Sequence, residues 1–363
     1  MQLKSLERLG KRLATRIIQA LMPNEARGER PDWRERRYRV LFLRHDRIGD
    51  MILSTGIVRT IAEAFPNIEL DVLASPVNAP VLRNESYVHD VLVVNTKKPL
   101  SYPRTFRELR RRRYDAVIDC MVTAPSFTTL LLMLASGARY RIGVAGRGNE
   151  FAYTLPVPPR ETATHLVDQL GALVTAFGLQ PAAVDLKPRV RLTAEERERG
   201  ERLWRGATDD RGPIGPRLLV NVSAGRAHHA WPDDRFVAVI RAVRERATDA
   251  EVVVVSSPGD RARARTIAAA AGARLVEDRG IRDAMSLVAA ADLVFTPDTS
   301  IGHASSAFDK TAVVLHPRGN AAAWGPYGTN GRAIESRTAD VAGITAEEAS
   351  AVVLARFASR SAR

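Results

Sequence analysis

Three short stretches of the chain gather groups able to move a proton or hold an anion. The first, LRHDRIGD at 43–50, sets Arg44, His45 and Arg47 ahead of Asp50, where an apolar run gives way to a helical pattern. So dense a cationic loop suits an anionic substrate, and Asp50 beside it is placed to accept a proton. The plain alternative is that Asp50 caps the helix, a position Asp favours. The second stretch, FTPDTSIGHASSAF at 295–308, puts Asp298, Thr299, Ser300 and His303 where a strand meets a helix. First-turn N–H groups and the helix dipole bind phosphate there, with the Thr299 and Ser300 hydroxyls as further donors. A capping cluster with a surface histidine fits the same residues. The third, VSAGRAHHAWPDDRF at 222–236, follows another strand and offers Ser223, Arg226, His228 and His229. Here the alternative is a pair of solvated loop histidines. Asp233 and Asp234 lie near them, but the spacing matches no standard ligand set, so no metal is expected.

These stretches need strands and helices to hold them. YRVLFLR (38–44), DMILSTGIVRTIAEAF (50–65) and IELDVLA (68–74) read as strand, helix and strand, and VHDVLVV, YDAVIDC and RYRIGV continue the alternation. The rhythm lapses into a proline-rich stretch and a polar helix, then restarts at RLLVNVSA (217–224) and runs to TAVVLHP (311–317). The expected fold is therefore α/β, two doubly wound parallel domains in tandem with a cleft between facing strand ends. The expected partition is a basic N-terminal helix and linker at 1–37, a first domain at 38–180 and a connection at 181–215. A second domain follows at 216–340, with a C-terminal helix and tail at 341–363.

Composition narrows the function. The 363 residues carry 54 Lys and Arg against 41 Asp and Glu, a formal net charge of +13. That excess attracts phosphates of any origin, but an Ala- and Arg-rich composition accounts for much of it, so no nucleic-acid partner is expected. Cys120 is the single cysteine, which rules out an intrachain disulfide. No apolar run approaches the ~18 residues of a membrane span, and FTTLLLMLASGA (127–138) reads as a core helix. Gly49 stands alone after the first strand, so the dinucleotide fingerprint is missing and a dehydrogenase is disfavoured. Residues 1–22 are no secretory signal; Leu3, Leu6, Leu9, Leu13, Ile17 and Leu21 form one apolar face opposite Lys and Arg. This suits equally an interfacial helix on an anionic membrane and a helix packed on the protein's own surface. RTFRELRRRRYD (104–115) is likewise open between a face toward an anionic acceptor and a solvated helix face.

Taken together, the motifs resemble those of glycosyltransferase family 9, the lipopolysaccharide heptosyltransferases. Arg47-Ile48-Gly49-Asp50 matches the family's R-x-G-D, Asp298 to His303 its D-[TS]-G-x-x-H, His229-Ala230-Trp231-Pro232 its K-R-W-P, and Trp324 to Gly328 its W-G-P-Y-G. The resemblance runs from about 38 to 330. It implies a GT-B fold, inverting transfer with Asp50 as general base, and a nucleotide-sugar donor as substrate with no cofactor and no metal. It further implies donor contacts from Ser223, Arg226, His229, Asp260, Asp298, Thr299, Ser300 and His303, with Asp260 at the ribose. Arg44, His45 and Arg47 would meet an anionic glycolipid acceptor. Two positions depart from the pattern: His229 stands where the family has Lys, and Ser300 where it has Gly. Heptose transfer from ADP-heptose is the leading expectation. A different donor, or a non-catalytic glycolipid- or membrane-binding relative, is the alternative. A cytoplasmic protein, with membrane contact through 1–22 as an accompanying expectation, fits this reading.

Overall fold

The computed structural model describes residues 20, 28–122, 126–146, 148–206, 215–277 and 279–361, with side chains to 357. The amphipathic segment 1–22 lies outside the described residues, Ala20 excepted. The chain forms two compact units, Met1–Leu186 and Lys187–Arg363.

In the first unit the described strands are β1 (Tyr38–Arg44), β2 (Ile68–Ala74), β3 (Asp90–Val93), β4 (Ala116–Asp119), β5 (Tyr140–Val144) and β6 (Leu155–Val157). They are interleaved with α1 (Ile48–Ala64), α2 (Ser101–Arg112), α3 (Phe127–Ser136) and α4 (Leu166–Leu170). The strands pair in parallel in the order β3-β2-β1-β4-β5-β6. Parallel strands need crossovers that cover both sheet faces, so β1 and β2 are buried along nearly their whole length instead of on alternate residues. Helix α1 is buried over most of its circumference, from Gly49 to Ile61, and Pro66 and Asn67 end it. The stretch expected as a linker contributes to the core instead. Trp33 is buried, its indole N–H donates to the Ala176 carbonyl at 2.9 Å, and its ring meets Tyr38, Tyr140 and Phe177. A large ring with its one donor satisfied stabilises more when buried than exposed.

The second unit opens with α5 (Ala194–Arg205) and continues through β7 (Arg217–Asn221), α6 (Asp233–Arg246), β8 (Glu251–Val255), α7 (Arg261–Ala271) and β9 (Arg274–Leu275). It ends with α8 (Ile281–Ala290), β10 (Leu293–Pro297), α9 (Ser300–Ala307), β11 (Thr311–His316), α10 (Ala321–Trp324), β12 (Arg332–Glu335) and α11 (Ala346–Ser361). The sheet order is β12-β11-β10-β7-β8-β9, again parallel. Counted within the unit, this is the same 3-2-1-4-5-6 order that defines dinucleotide-binding folds.

Two expected boundaries differ. The stretch expected as a connection holds α5, which is capped by a reciprocal Thr193–Glu196 box and packs on α8 within the second unit. Gly200 permits that packing, since a Cβ there would lie 2.5 Å from the Ser286 carbonyl oxygen. The C-terminal segment is likewise part of the unit, with Ala349, Val353 and Phe357 in its core cluster. A polar surface helix and a C-terminal helix look detachable in sequence; each has a narrow apolar stripe that only the folded partner explains.

Candidate active site

In open parallel sheets, ligands gather outside the strands' carboxyl ends where the strand order reverses. In the first unit that point lies between β1 and β4, where Arg44 ends β1 and His45, Arg47 and Asp50 follow it. Asp50 is the third residue of α1, and Arg47, not Asp50, occupies the N-cap. The helix dipole favours a carboxylate in this first turn. Two other carboxylates nearby are held by neighbours. Asp46 pairs with Arg44 at 3.0 Å, and Asp119 is fully buried, accepting from Tyr153 Oη at 2.7 Å and the Met121 N–H at 2.8 Å.

Arg44 departs from expectation. Its guanidinium is buried and donates to Ser54 Oγ at 2.9 Å, Asp46 Oδ2 at 3.0 Å and the Cys120 carbonyl at 3.3 Å. It joins β1, α1 and the end of β4, and does not present itself to an acceptor. A cation at a strand end is drawn inward where carbonyl and carboxylate oxygens converge, because its rigid fork serves several at once. Arg47 is exposed and His45 half-buried. Burial pushes the His45 ring below its ordinary pKa, and Nε2 lies 3.3 Å from Thr129 Oγ1. Asn78, not singled out in the sequence, braces the loop: its side-chain amide donates to the Arg44 carbonyl at 3.0 Å and accepts the Ser75 N–H at 2.8 Å.

In the second unit the reversal lies between β7 and β10, and the sequence-assigned donor residues collect around it. Asn221, at the end of β7, reaches across to Thr296 Oγ1 at 2.9 Å and Thr299 Oγ1 at 3.2 Å. Thr299 caps α9 by accepting the Ile301 N–H at 3.3 Å, and it lies 3.0 Å from Thr296 Oγ1. Thr296 Oγ1 also reaches the Pro297 carbonyl at 2.8 Å, so the two threonine hydroxyls and the Asn221 amide form one polar cluster. Thr299 therefore shapes the helix start as its N-cap. Ser300 is the first residue of α9, and at Gly302 a Cβ would press to 3.2 Å from Val314. The close approach of helix to sheet falls there.

Asp298 stands among histidines. Its Oδ2 accepts from the Asn320 amide at 3.1 Å and lies 3.5 Å from His229 Nδ1 and 3.6 Å from His316 Nδ1. Burial by itself would raise the Asp298 carboxyl, but the His316, His303 and His229 rings outweigh it and hold it below its ordinary value. His303, on α9, is buried with its ring 6.2 Å from that of Trp324. His316 was missed in the sequence, where it ends a strand as one apolar-run neighbour before proline; the run TAVVLHP was the available signal.

The loop after β7 carries the rest. His229 is buried while Arg226 and His228 are exposed. Arg263 holds the loop from α7, donating to the Val222 and Trp231 carbonyls at 2.6 Å each and pairing with Asp233. Trp231 is core, its indole N–H on the Ile344 carbonyl at 3.0 Å and its ring against Phe236 and Phe295. Ser223 and Asp260 come together through Ser257, whose N–H donates to Ser223 Oγ at 2.7 Å and whose hydroxyl donates to Asp260 at 2.9 Å. Asp260 thus follows the second strand of the unit, where an acidic residue reads a ribose in dinucleotide folds. Among the described residues, no set of three or more His, Cys, Asp or Glu side chains is arranged to hold a metal ion.

Two parallel α/β units of identical strand order, each with a polar cluster at its point of reversal, define a GT-B-type fold. The family model described as glycosyltransferase family 9 (heptosyltransferase) matches residues 103–349, and the chain belongs to that family. It is 24% identical over 220 residues to Escherichia coli lipopolysaccharide heptosyltransferase 3, which covers 58% of this chain and 61% of that protein. It is 23% identical over 293 residues to lipopolysaccharide heptosyltransferase 2 of E. coli K12, covering 74% of this chain and 80% of the other. Among solved structures, a family 9 glycosyltransferase from Veillonella parvula superposes with a TM-score of 0.78 at 15% identity, covering 91% and 99% of the two chains. E. coli ADP-heptose lipopolysaccharide heptosyltransferase II does so at 0.70 and 19%, covering 89% and 99%. An E. coli heptosyltransferase bound to ADP gives 0.70 and 16%, covering 88% and 99%.

Proposed function

We propose that the protein is an inverting heptosyltransferase that takes heptose from ADP-heptose to an anionic glycolipid of the lipopolysaccharide core, with Asp50 as the general base. The observation that carries this reading is the pair of clusters at matching points of two like sheets, one with a first-turn carboxylate and exposed Arg47, the other with an anion-binding helix start. Inverting transfer needs one base to take the acceptor hydroxyl proton, and positive groups to stabilise the leaving diphosphate. Asp50 supplies the first. Arg226, His229 and the N-terminus of α9 supply the second, with Asp260 on the ribose. Similarity to relatives named as heptosyltransferases, one of them solved with ADP, supports the choice of donor.

The donor assignment is tested by thermal shift with ADP, UDP, GDP and CMP. A ligand of the native state at a hundred times its Kd stabilises by about 2.7 kcal/mol, so ADP is expected to raise Tm by roughly 5–10 °C. Stabilisation by another nucleotide alone would reassign the donor, and stabilisation by none would favour a binding-only relative.

For the acceptor, the loop after β3 and the start of α2 are the favoured contact. From Val91 to Arg107 there is no acidic residue, while Lys97, Lys98, Arg104 and Arg107 are exposed and Leu100 is 92% exposed. Arg112 is not part of that surface, since it pairs with Asp71, Asp90 and Glu108. Cations around an exposed apolar tip suit an anionic lipid-linked sugar. The Lys97→Glu/Lys98→Glu variant should raise the acceptor KM about thirtyfold or more, at ~1 kcal/mol per basic residue lost, with the donor KM unmoved. An unchanged acceptor KM would place the acceptor elsewhere. No described helix is long and apolar enough to cross a membrane.

A further inference from the structure

His229 stands where a fixed cation would be expected to meet the donor diphosphate, yet its surroundings keep it uncharged in the free protein. Burial pushes the ring below its ordinary pKa, and Asp298 opposes this only in part. The hydrogen-bond geometry then decides which nitrogen carries the proton. Nδ1 faces two acceptors of Asp298, the carbonyl at 3.4 Å and the carboxylate at 3.5 Å, so Nδ1 bears the hydrogen. In the neutral ring Nε2 is consequently a lone pair. That nitrogen is buried and has no hydrogen-bond partner. An ionised diphosphate has only lone pairs to offer it, and two lone pairs repel.

We infer that donor binding is coupled to proton uptake at His229. On the reading that the diphosphate lies over this loop, the ring gains a proton at Nε2, donates that N–H to a phosphate oxygen and keeps Nδ1–H on Asp298. The proton comes from solvent, and the ring becomes the cation that balances the leaving nucleotide. Asp298 is built to sustain this, since its carboxylate stays ionised and would face an imidazolium. The other groups acting on the ring are His228, edge-on with centroids 4.3 Å apart, and Arg226 on the same loop, while His303 on α9 and His316 at the end of β11 act on its partner Asp298. Arg226 and His228 oppose protonation of His229, an opposition that the negative charge of a bound diphosphate offsets.

The test is calorimetric titration of the full-length protein with ADP at pH 7.5–8.5, in buffers of different ionisation enthalpy. The wild type is expected to take up close to one proton per ADP, its affinity falling up to tenfold per pH unit across that range. His229→Lys, whose side chain is already charged, should bind ADP without that uptake and with a flat pH dependence; ADP's own phosphate is ionised there and is common to both proteins. His229→Gln checks the assignment in a variant of similar size, which should bind more weakly than wild type and also without uptake. ADP binding by the wild type with no proton uptake, or with the same uptake in the Lys and Gln variants, overturns the inference while leaving the donor site in place. No ADP binding by any of the three proteins overturns the donor site itself and the inference with it.

Discussion

Asp50→Asn is expected to reduce sugar transfer by roughly 10²-fold or more, the usual scale for a lost general base. Asn preserves shape, and losing a carboxylate from the first turn of α1 costs the helix only about 0.3–1 kcal/mol, so the variant should fold. Nucleotide affinity should stay within about twofold, because interactions between sites without shared partners are close to additive and the donor cluster is built from the second unit. The diagnostic pattern is a collapsed kcat with an unchanged ADP isotherm. Turnover equal to wild type would remove Asp50 from the mechanism. Asp46 and Asp119 are poor substitutes for it, the first paired with Arg44 and the second buried under Tyr153.

Arg44→Met should destabilise the first unit by about 3 kcal/mol, because a buried group left unsatisfied costs roughly 1–3 kcal/mol and this change affects Ser54, Asp46 and the Cys120 carbonyl together. Thermal unfolding of that unit should fall by roughly 6–12 °C. Arg47→Met is the informative contrast. Arg47 is exposed at the N-cap without a side-chain capping bond, so its loss should leave Tm within about 1 °C and act on the acceptor KM alone. Equal stability of the two variants would mean that the buried guanidinium contributes nothing and that Arg44 is available to substrate after all.

The contrast between these arginines marks how far the chain could be read without its fold. Three residues apart in one loop, they carry the same charge and the same apparent purpose. One turns inward because Ser54, Asp46 and Cys120 supply oxygens on that side, and two of those come from elements that no local pattern links to residue 44. Thr299 is a similar case: its preference for an N-cap is local and legible, but its contact with Asn221, 78 residues upstream, is not.

What the residues determined by themselves is whatever depends on short-range physics. Continuous Val, Ile and Leu runs alternating with helical periodicity require a parallel, doubly covered sheet, and the punctuation by Pro66 and Asn67 ends α1 where expected. The spacing of Asp50 and of Asp298 to His303 after strand ends placed both at carboxyl edges. Only the tertiary structure decided the strand order, and with it which loops become neighbours. Pairing β10 between β7 and β11 brings His229, Asp298 and His316 together from three separate segments. Long-range pairing is selected by the collective burial of many apolar side chains, so no single segment encodes the meeting of a carboxylate with its histidines, nor the lone pair that His229 is left holding.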